Sequence, residues 1–169
     1  MEYLVIDGYN VINAWNDIFD LEKDSLEDCR DKLFYYLSNY QGYKKTNIII
    51  VFDAHMVKGS QQKELAYDNL KIVFTKENET ADNYIERFVY KHGSIHTIRV
   101  VTSDYLEQTM IMSSGGARMS PRELKEEIIV ANNGMKENIK KLNVKTNTIM
   151  SNLQPDQLEK LERIRRGKF

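Results

Sequence analysis

The chain has 169 residues, of which 41% are hydrophobic and 29% charged, with a formal net charge of −1; these are the proportions of one ordinary soluble domain with a sizeable core. No apolar run approaches the roughly 20 residues of a membrane span, and the N-terminus lacks the pattern of a secretory signal, so a cytoplasmic location is expected. The lone Cys29 cannot form an internal disulfide, which suits that compartment.

Tyr3-Leu4-Val5-Ile6 is a short apolar run with β-branched residues, as in a strand buried on both faces of a parallel sheet. Asp7 ends it, Gly8 permits a tight turn, and Asn10 or a neighbour can open a helix carrying Val11, Ile12 and Trp15. Ser25 and Asp28 form a capping pair for a helix over 26–40, whose apolar face Leu26, Cys29, Leu33, Leu37 makes Cys29 a buried small hydrophobe. A second buried-strand run, Asn47 to Phe52, ends in Asp53. A short segment around 59–67 leads to the strand-like Lys71 to Thr75, and an apolar stripe at Ala81, Ile85, Phe88 and Val89 predicts a helix over 81–91 with Asp82 in its first turn. Glu79, near that helix start, reads as an acid favoured by the helix dipole. Thr97 to Val101 is a further strand, closed by Thr102-Ser103-Asp104, and a helix over 105–113 follows with Asp104 and Glu107 as its capping box. Gly115-Gly116 breaks that helix, and Ala117-Arg118-Met119 reads as a short edge strand. Ser120-Pro121-Arg122-Glu123 opens a helix expected to run to Ala131 and to end at Asn133-Gly134.

A single Asp-Gly is an ordinary turn. Three strands each ending in an acid are not, because parallel strands align their C-terminal ends on one edge, where open α/β sheets bind ligands. Asp7, Asp53 and Asp104 therefore converge if their strands are neighbours, Asp82 joins them from a helix start, and converging carboxylates imply a cation. Other chemistries are excluded: there is no GK[ST] phosphate loop, no GxGxxG and no GxSxG. An aspartyl-phosphate enzyme would place an acid where Tyr9 stands. His92 and His96 are spaced like zinc ligands, but Gly93 and the absence of paired cysteines argue against zinc; His55, two residues after Asp53, is a candidate for the acidic edge, with a surface histidine the safer reading.

Residues 134–169 hold nine Lys and Arg against four Asp and Glu, a local +5 that leaves −6 for residues 1–133. This division predicts an acidic domain, 1–133, and a basic helical extension, 134–169, packed on it. Met135, Ile139 and Leu142 suggest one amphipathic helix, and Leu158, Leu161 and Ile164 another after Pro155.

Asp7-Gly8-Tyr9-Asn10, Phe52-Asp53-Ala54-His55, Thr80-Ala81-Asp82 and Thr102-Ser103-Asp104 resemble the NYN domains of the PIN-like nuclease superfamily. With Gly115-Gly116-Ala117-Arg118, Ser120 and the closing Leu-Glu-Lys-Leu-Glu-Arg-Ile-Arg-Arg-Gly, the chain is similar over almost its whole length to the bacterial YacP-like proteins, ribosome-associated endoribonucleases. The resemblance implies a PIN-like three-layer α/β/α fold with a mostly parallel central sheet and C-terminal helices. It also implies metal-dependent cleavage of RNA at a site built from Asp7, Asp53, Asp82 and Asp104, with Asn10 assisting. The chain departs from some relatives at Asn83 and Gln108, where they carry further acids.

Oxygen ligands select hard cations, so one or two Mg²⁺ or Mn²⁺ ions are expected, with Asp7, Asp82 and Asp104 as ligands. Four carboxylates repel RNA, so cations outside the pocket are needed to hold its backbone; the candidates are Lys58, Lys63, Arg118, Arg122 and, from the tail, Arg163, Arg165 and Arg166, which read equally well as a solvated helix end. Tyr9 is a candidate to stack a base, and Trp15 reads as core. The expected partners are mRNA and the ribosome. A DNA or flap nuclease would share the acidic edge, and a non-catalytic RNA or ribosome adaptor would share the fold without needing the acids.

Overall fold

A computed structural model of the protein describes residues 1–54, 63–151 and 159, with side chains described to residue 143 and at Glu159. The features expected at His55, Lys58, Gly59 and Pro155, and in the second tail helix with Leu158, Leu161, Ile164, Arg163, Arg165 and Arg166, lie outside the described residues.

The strands are β1 (Glu2–Asp7), β2 (Asn47–Phe52), β3 (Lys63–Tyr67), β4 (Leu70–Phe74), β5 (Thr97–Val101) and β6 (Ala117–Met119). The helices are α1 (Gly8–Ala14), α2 (Leu26–Lys44), α3 (Ala81–His92), α4 (Tyr105–Ser113) and α5 (Pro121–Ser151). The six strands form one sheet in the order β3-β4-β2-β1-β5-β6, parallel except for β3. The segment around 59–67 thus contributes an antiparallel strand, paired with β4 through the turn at Asp68. The chain moves outward from β1 on one side, through β2 and β4, then crosses to β5 on the other, so the switch point of the sheet lies between β1 and β5.

Alternation along the central strands divides the core between two faces. Leu4, Ile6, Ile48 and Ile50 pack with Ile12 of α1, Leu33 and Leu37 of α2, and Leu124 and Ile128 of α5. Val5, Ile49, Val51, Ile98 and Val100 pack instead with Ile85 and Val89 of α3 and Ile111 of α4. Helices on both faces of a mostly parallel sheet make the three-layer α/β/α arrangement that the resemblance implies. Cys29 is fully buried in the first of these clusters, and Trp15, 2% exposed, donates its indole N–H to the Pro121 carbonyl at 2.8 Å.

Two helices outrun their expected ends. α2 continues to Lys44 and stops where Lys45 takes a left-handed conformation at φ 55°. α5 passes through Asn133-Gly134 to Ser151. A glycine ends a helix by adopting positive φ; among the described residues Gly115 does so and Gly134 does not. An interior glycine costs a helix only about 1 kcal/mol, and Met135, Lys136 and Glu137 are good helix formers that carry the pattern on. Met135, Ile139 and Leu142 therefore belong to α5 rather than to a separate helix. The chain divides into two units, Met1–Ala131 and Asn132–Phe169.

Candidate active site

β1 is the middle of three adjacent strands whose C-terminal ends carry acids. Asp7 is level with Val51 of β2, and Ile6 with Val101 of β5, so Asp53 and Asp104 sit just beyond the same edge. Gly8 follows at once and packs so closely on Phe52 that a Cβ there would enter its ring; only glycine allows the turn from β1 into α1 at this depth.

Each edge acid also holds a helix start. Asp7, rather than Asn10, is the N-cap of α1 and accepts from the Asn10 N–H at 3.2 Å. Asp53 accepts from the Ala81 N–H at 3.1 Å, at the first residue of α3. Asp104 caps α4, accepting from Leu106 and Glu107 N–H at 2.9 and 3.3 Å. The positive ends of three helix dipoles thus face the acidic edge and favour its anions. Asn10 spans the switch point: its Oδ1 accepts from both the Ser103 N–H and the Ser103 hydroxyl at 2.9 Å, which fixes the loop that carries Asp104.

Among the described residues, the acids close enough to share a cation differ from the expected ligand set. Asp7, Asp82 and Glu107 offer carboxylate oxygens that all lie within 4.8 Å of one another. Glu107 is 6% exposed, and neither of its oxygens has a hydrogen-bond partner of normal geometry. The capping box expected at Asp104 and Glu107 is only half formed: the Asp104 N–H is taken by the Thr102 hydroxyl at 3.1 Å, which leaves the Glu107 side chain free to turn inward. Asp53 and Asp104 flank the trio from their helix starts and act on it through their charges.

Burial pushes the Glu107 carboxyl up to about 8; the nearby Thr102 hydroxyl offsets this in part, and the charges of Asp82, Asp7 and Asp104 reinforce it. Asp7 rises to about 6, chiefly by burial, against the Asn10 N–H and with Asp82, Asp53 and Asp104 adding repulsion. Asp82 rises by burial and by repulsion from Asp104 and Asp53, opposed by the Glu107 carboxyl, which can donate to it when protonated. Without a cation, burial and mutual repulsion thus favour the protonated forms of Glu107 and Asp7 beyond those of an ordinary carboxyl. A buried carboxyl without a fixed partner, close to two more, matches the oxygen-only donor set of a hard divalent cation.

Both the sequence and the fold have counterparts among known proteins. Residues 4–166 match the YacP-like NYN domain. The chain belongs to that family. It is 39% identical over 168 residues to the protein YacP of Bacillus subtilis (strain 168), covering 99% of this chain and 98% of that one. The crystal structure of Rae1 (YacP) from Bacillus subtilis superimposes with a TM-score of 0.72 at 38% identity, covering 99% of this chain and 96% of the other. The crystal structure of a point mutant of that protein gives a TM-score of 0.70 at 37% identity over 83% and 82% of the two chains. The NYN domain is of nuclease type, and its mixed α/β fold is the one built here.

The other residues named from sequence fall into three groups in this NYN domain. Lys63 is exposed at the start of β3, paired in register with Phe74, and so lies on the acidic edge. Arg118 on β6 donates to Gln108 Oε1 at 3.3 Å, and Arg122 pairs with Glu126 at 3.1 Å; both are exposed. Tyr9 is closed to stacking: it is 9% exposed, its ring packs on Phe52, and its hydroxyl accepts from Arg30 at 3.0 Å. Glu79 is structural, paired with Arg87. His92 and His96 stack on each other and meet Phe88 and Tyr3 at tilted angles. Glu107 joins the acidic cluster, although sequence reasoning assigned it only to a cap. Thr102, able to satisfy the Asp104 N–H first, is the signal that would have released it.

Proposed function

We propose that this NYN protein is a cytoplasmic, metal-dependent endoribonuclease that hydrolyses RNA phosphodiester bonds, with mRNA on the ribosome as its substrate. The observation that carries the reading is Glu107, a buried carboxyl with no fixed hydrogen-bond donor, within 4.8 Å of Asp7 and Asp82 oxygens. A structural acid would have a partner; this one is arranged for a cation. One or two Mg²⁺ or Mn²⁺ ions held by Asp7, Asp82 and Glu107, with Asp104 beside them, would supply charge neutralisation and water activation for in-line hydrolysis. Asp53 and Asn10 position the edge by holding α3 and the Asp104 loop.

The same acids repel a polyanion, so affinity must come from cations beside them. Lys63 and Arg118 are exposed near the two ends of the edge, and the basic segment beyond residue 134 supplies the charge for RNA or ribosomal RNA. Among the described residues no helix is long and apolar enough to cross a membrane. Incubating purified protein with matched RNA and DNA strands, with Mn²⁺, Mg²⁺ or EDTA and with or without ribosomes, tests the reading. Internal cuts in RNA that need the metal are expected; cutting that survives EDTA, or no cutting under any condition, overturns it.

A further inference from the structure

The acidic cavity has a second wall. It encloses about 240 Å³, and besides Asp82, Asp104 and Glu107 it is lined by Leu106, Met110 and Ile111 of α4. Leu106 is 73% exposed and Met110 45%, while Ile111 below them is buried. Large apolar side chains left in water beside a charged cluster contribute nothing to the core, and Tyr105, 78% exposed, extends the same end of α4. The cavity also holds Asn83 and Glu86, one turn apart on α3. Neither side chain has a hydrogen-bond or ion-pair partner among the described residues, so donors and acceptors line one side and hydrocarbon the other. A pocket with one apolar wall and a few unspent polar groups fits a flat, polar-edged ring.

We infer that this cavity receives the nucleobase next to the scissile phosphate, its face against Leu106 and Met110 and its edge towards Asn83 and Glu86. The inference rests on the nuclease reading of the same site and names what that site grips. Its volume is that of one nucleotide rather than of a duplex, so the substrate must be single-stranded at the cut, with the base turned out of its stack. α4 then serves two purposes, since Glu107 in its first turn faces the cation site while Leu106 and Met110 face the base. A base so held also fixes its phosphate relative to Asp7 and Asp82, which is the positioning an in-line displacement needs.

The test is a double-mutant cycle between protein and substrate. Leu106→Ala/Met110→Ala should fold normally, both side chains being exposed, and its melting temperature should rise with Mn²⁺ as in wild type. Wild type should lose about tenfold in kcat/KM when the base beside the cut is replaced by an abasic nucleotide, as loss of a stacked base entails. The double variant should cut the complete RNA about tenfold more slowly and be almost indifferent to the abasic change. If wild type cuts both RNAs equally, or the variant matches wild type on complete RNA, the pocket does not hold a base. Should wild type cut no RNA, the nuclease reading fails separately. Equilibrium binding of the two oligonucleotides then decides the pocket: weaker binding of the abasic strand by wild type alone supports it, and equal affinities overturn it.

Discussion

Arg99 lies between Glu2 and Glu127, 3.1 and 2.9 Å away, and Tyr40 donates to Glu127 at 2.5 Å, whereas Asp7, Asp82 and Glu107 face one another across the other end of the same sheet. In the first group each partly buried charge has an opposite charge or a donor beside it. In the second, three acids crowd together and the charge is left to be balanced from outside. A fold can carry both because the paired group balances its charges without a ligand, while the unpaired group lowers stability unless, as proposed, a cation binds it. The difference separates charges that hold the protein together from charges that wait for chemistry.

The largest test removes the unpaired charges. Asp7→Asn, Asp82→Asn and Glu107→Gln should each lower RNA cleavage by about a thousandfold, since a lost cation ligand removes several kcal/mol of transition-state stabilisation. Melting in EDTA should be unchanged or higher, because repulsion is relieved. Cleavage above about a tenth of wild type in all three variants sinks the assignment.

Next in size is the response to metal and pH. A cation binding only the folded protein at a hundred times its dissociation constant adds about 2.7 kcal/mol, or roughly 5–10 °C in a chain of this length. In EDTA, the raised groups bind more protons folded than unfolded, so their contribution to stability is full below the ordinary carboxyl value of 4.5 and is lost as pH rises towards about 8, where Glu107 ionises. Saturating Mn²⁺ should flatten or reverse that slope, as should Glu107→Gln in part. Thermal melts from pH 5 to 8 with and without Mn²⁺ check this; a flat profile in EDTA contradicts the uncompensated cluster.

The paired group gives a smaller effect of the opposite kind. Glu127→Ala leaves Arg99 and the Tyr40 hydroxyl short of a partner and should cost about 1–3 kcal/mol in urea unfolding, less than a fully buried pair because the side chains are partly exposed. Metal-dependent cleavage per folded molecule should not change. The smallest effect is expected from Arg163→Ala/Arg165→Ala/Arg166→Ala, which should weaken RNA or ribosome binding at all sequences and reduce its salt slope by up to about one unit per lost contact. Filter binding over a salt series reads it, and an unchanged slope for both ligands removes the tail from recognition.

The layout of the edge was legible because it is written in local signals: a buried apolar run, then an acid, three times, and an acid in the first turn of α3. Those signals placed Asp7, Asp53, Asp82 and Asp104 at strand and helix ends correctly. They did not rank them. Which carboxylates come within 4.8 Å depends on how α4 rolls against α3, and that is set by Ile111, Ile85 and Val89 packing together, a tertiary event with no local spelling. Glu107 was hidden by a second reading of its position, since Asp and Glu three apart at a helix start form a capping box as readily as a site. The end of α5 failed for a related reason. Asn-Gly is a stop signal only when the chain turns there, and its ~1 kcal/mol penalty is small beside the helical preference of the residues on either side.

The outer strands of the sheet carry one more consequence. β6 is three residues long with Arg118 at its centre, and on the far side β3 exposes Lys63 and Glu64 along an antiparallel edge. Short, charged borders of this kind resist the addition of a further strand, so a chain emerging beside its neighbours during synthesis has little on which to polymerise. On the proposed metal-dependent reading, carboxylates that repel one another at the sheet edge lower stability until metal is bound, and these borders guard the chain against aggregation in that interval.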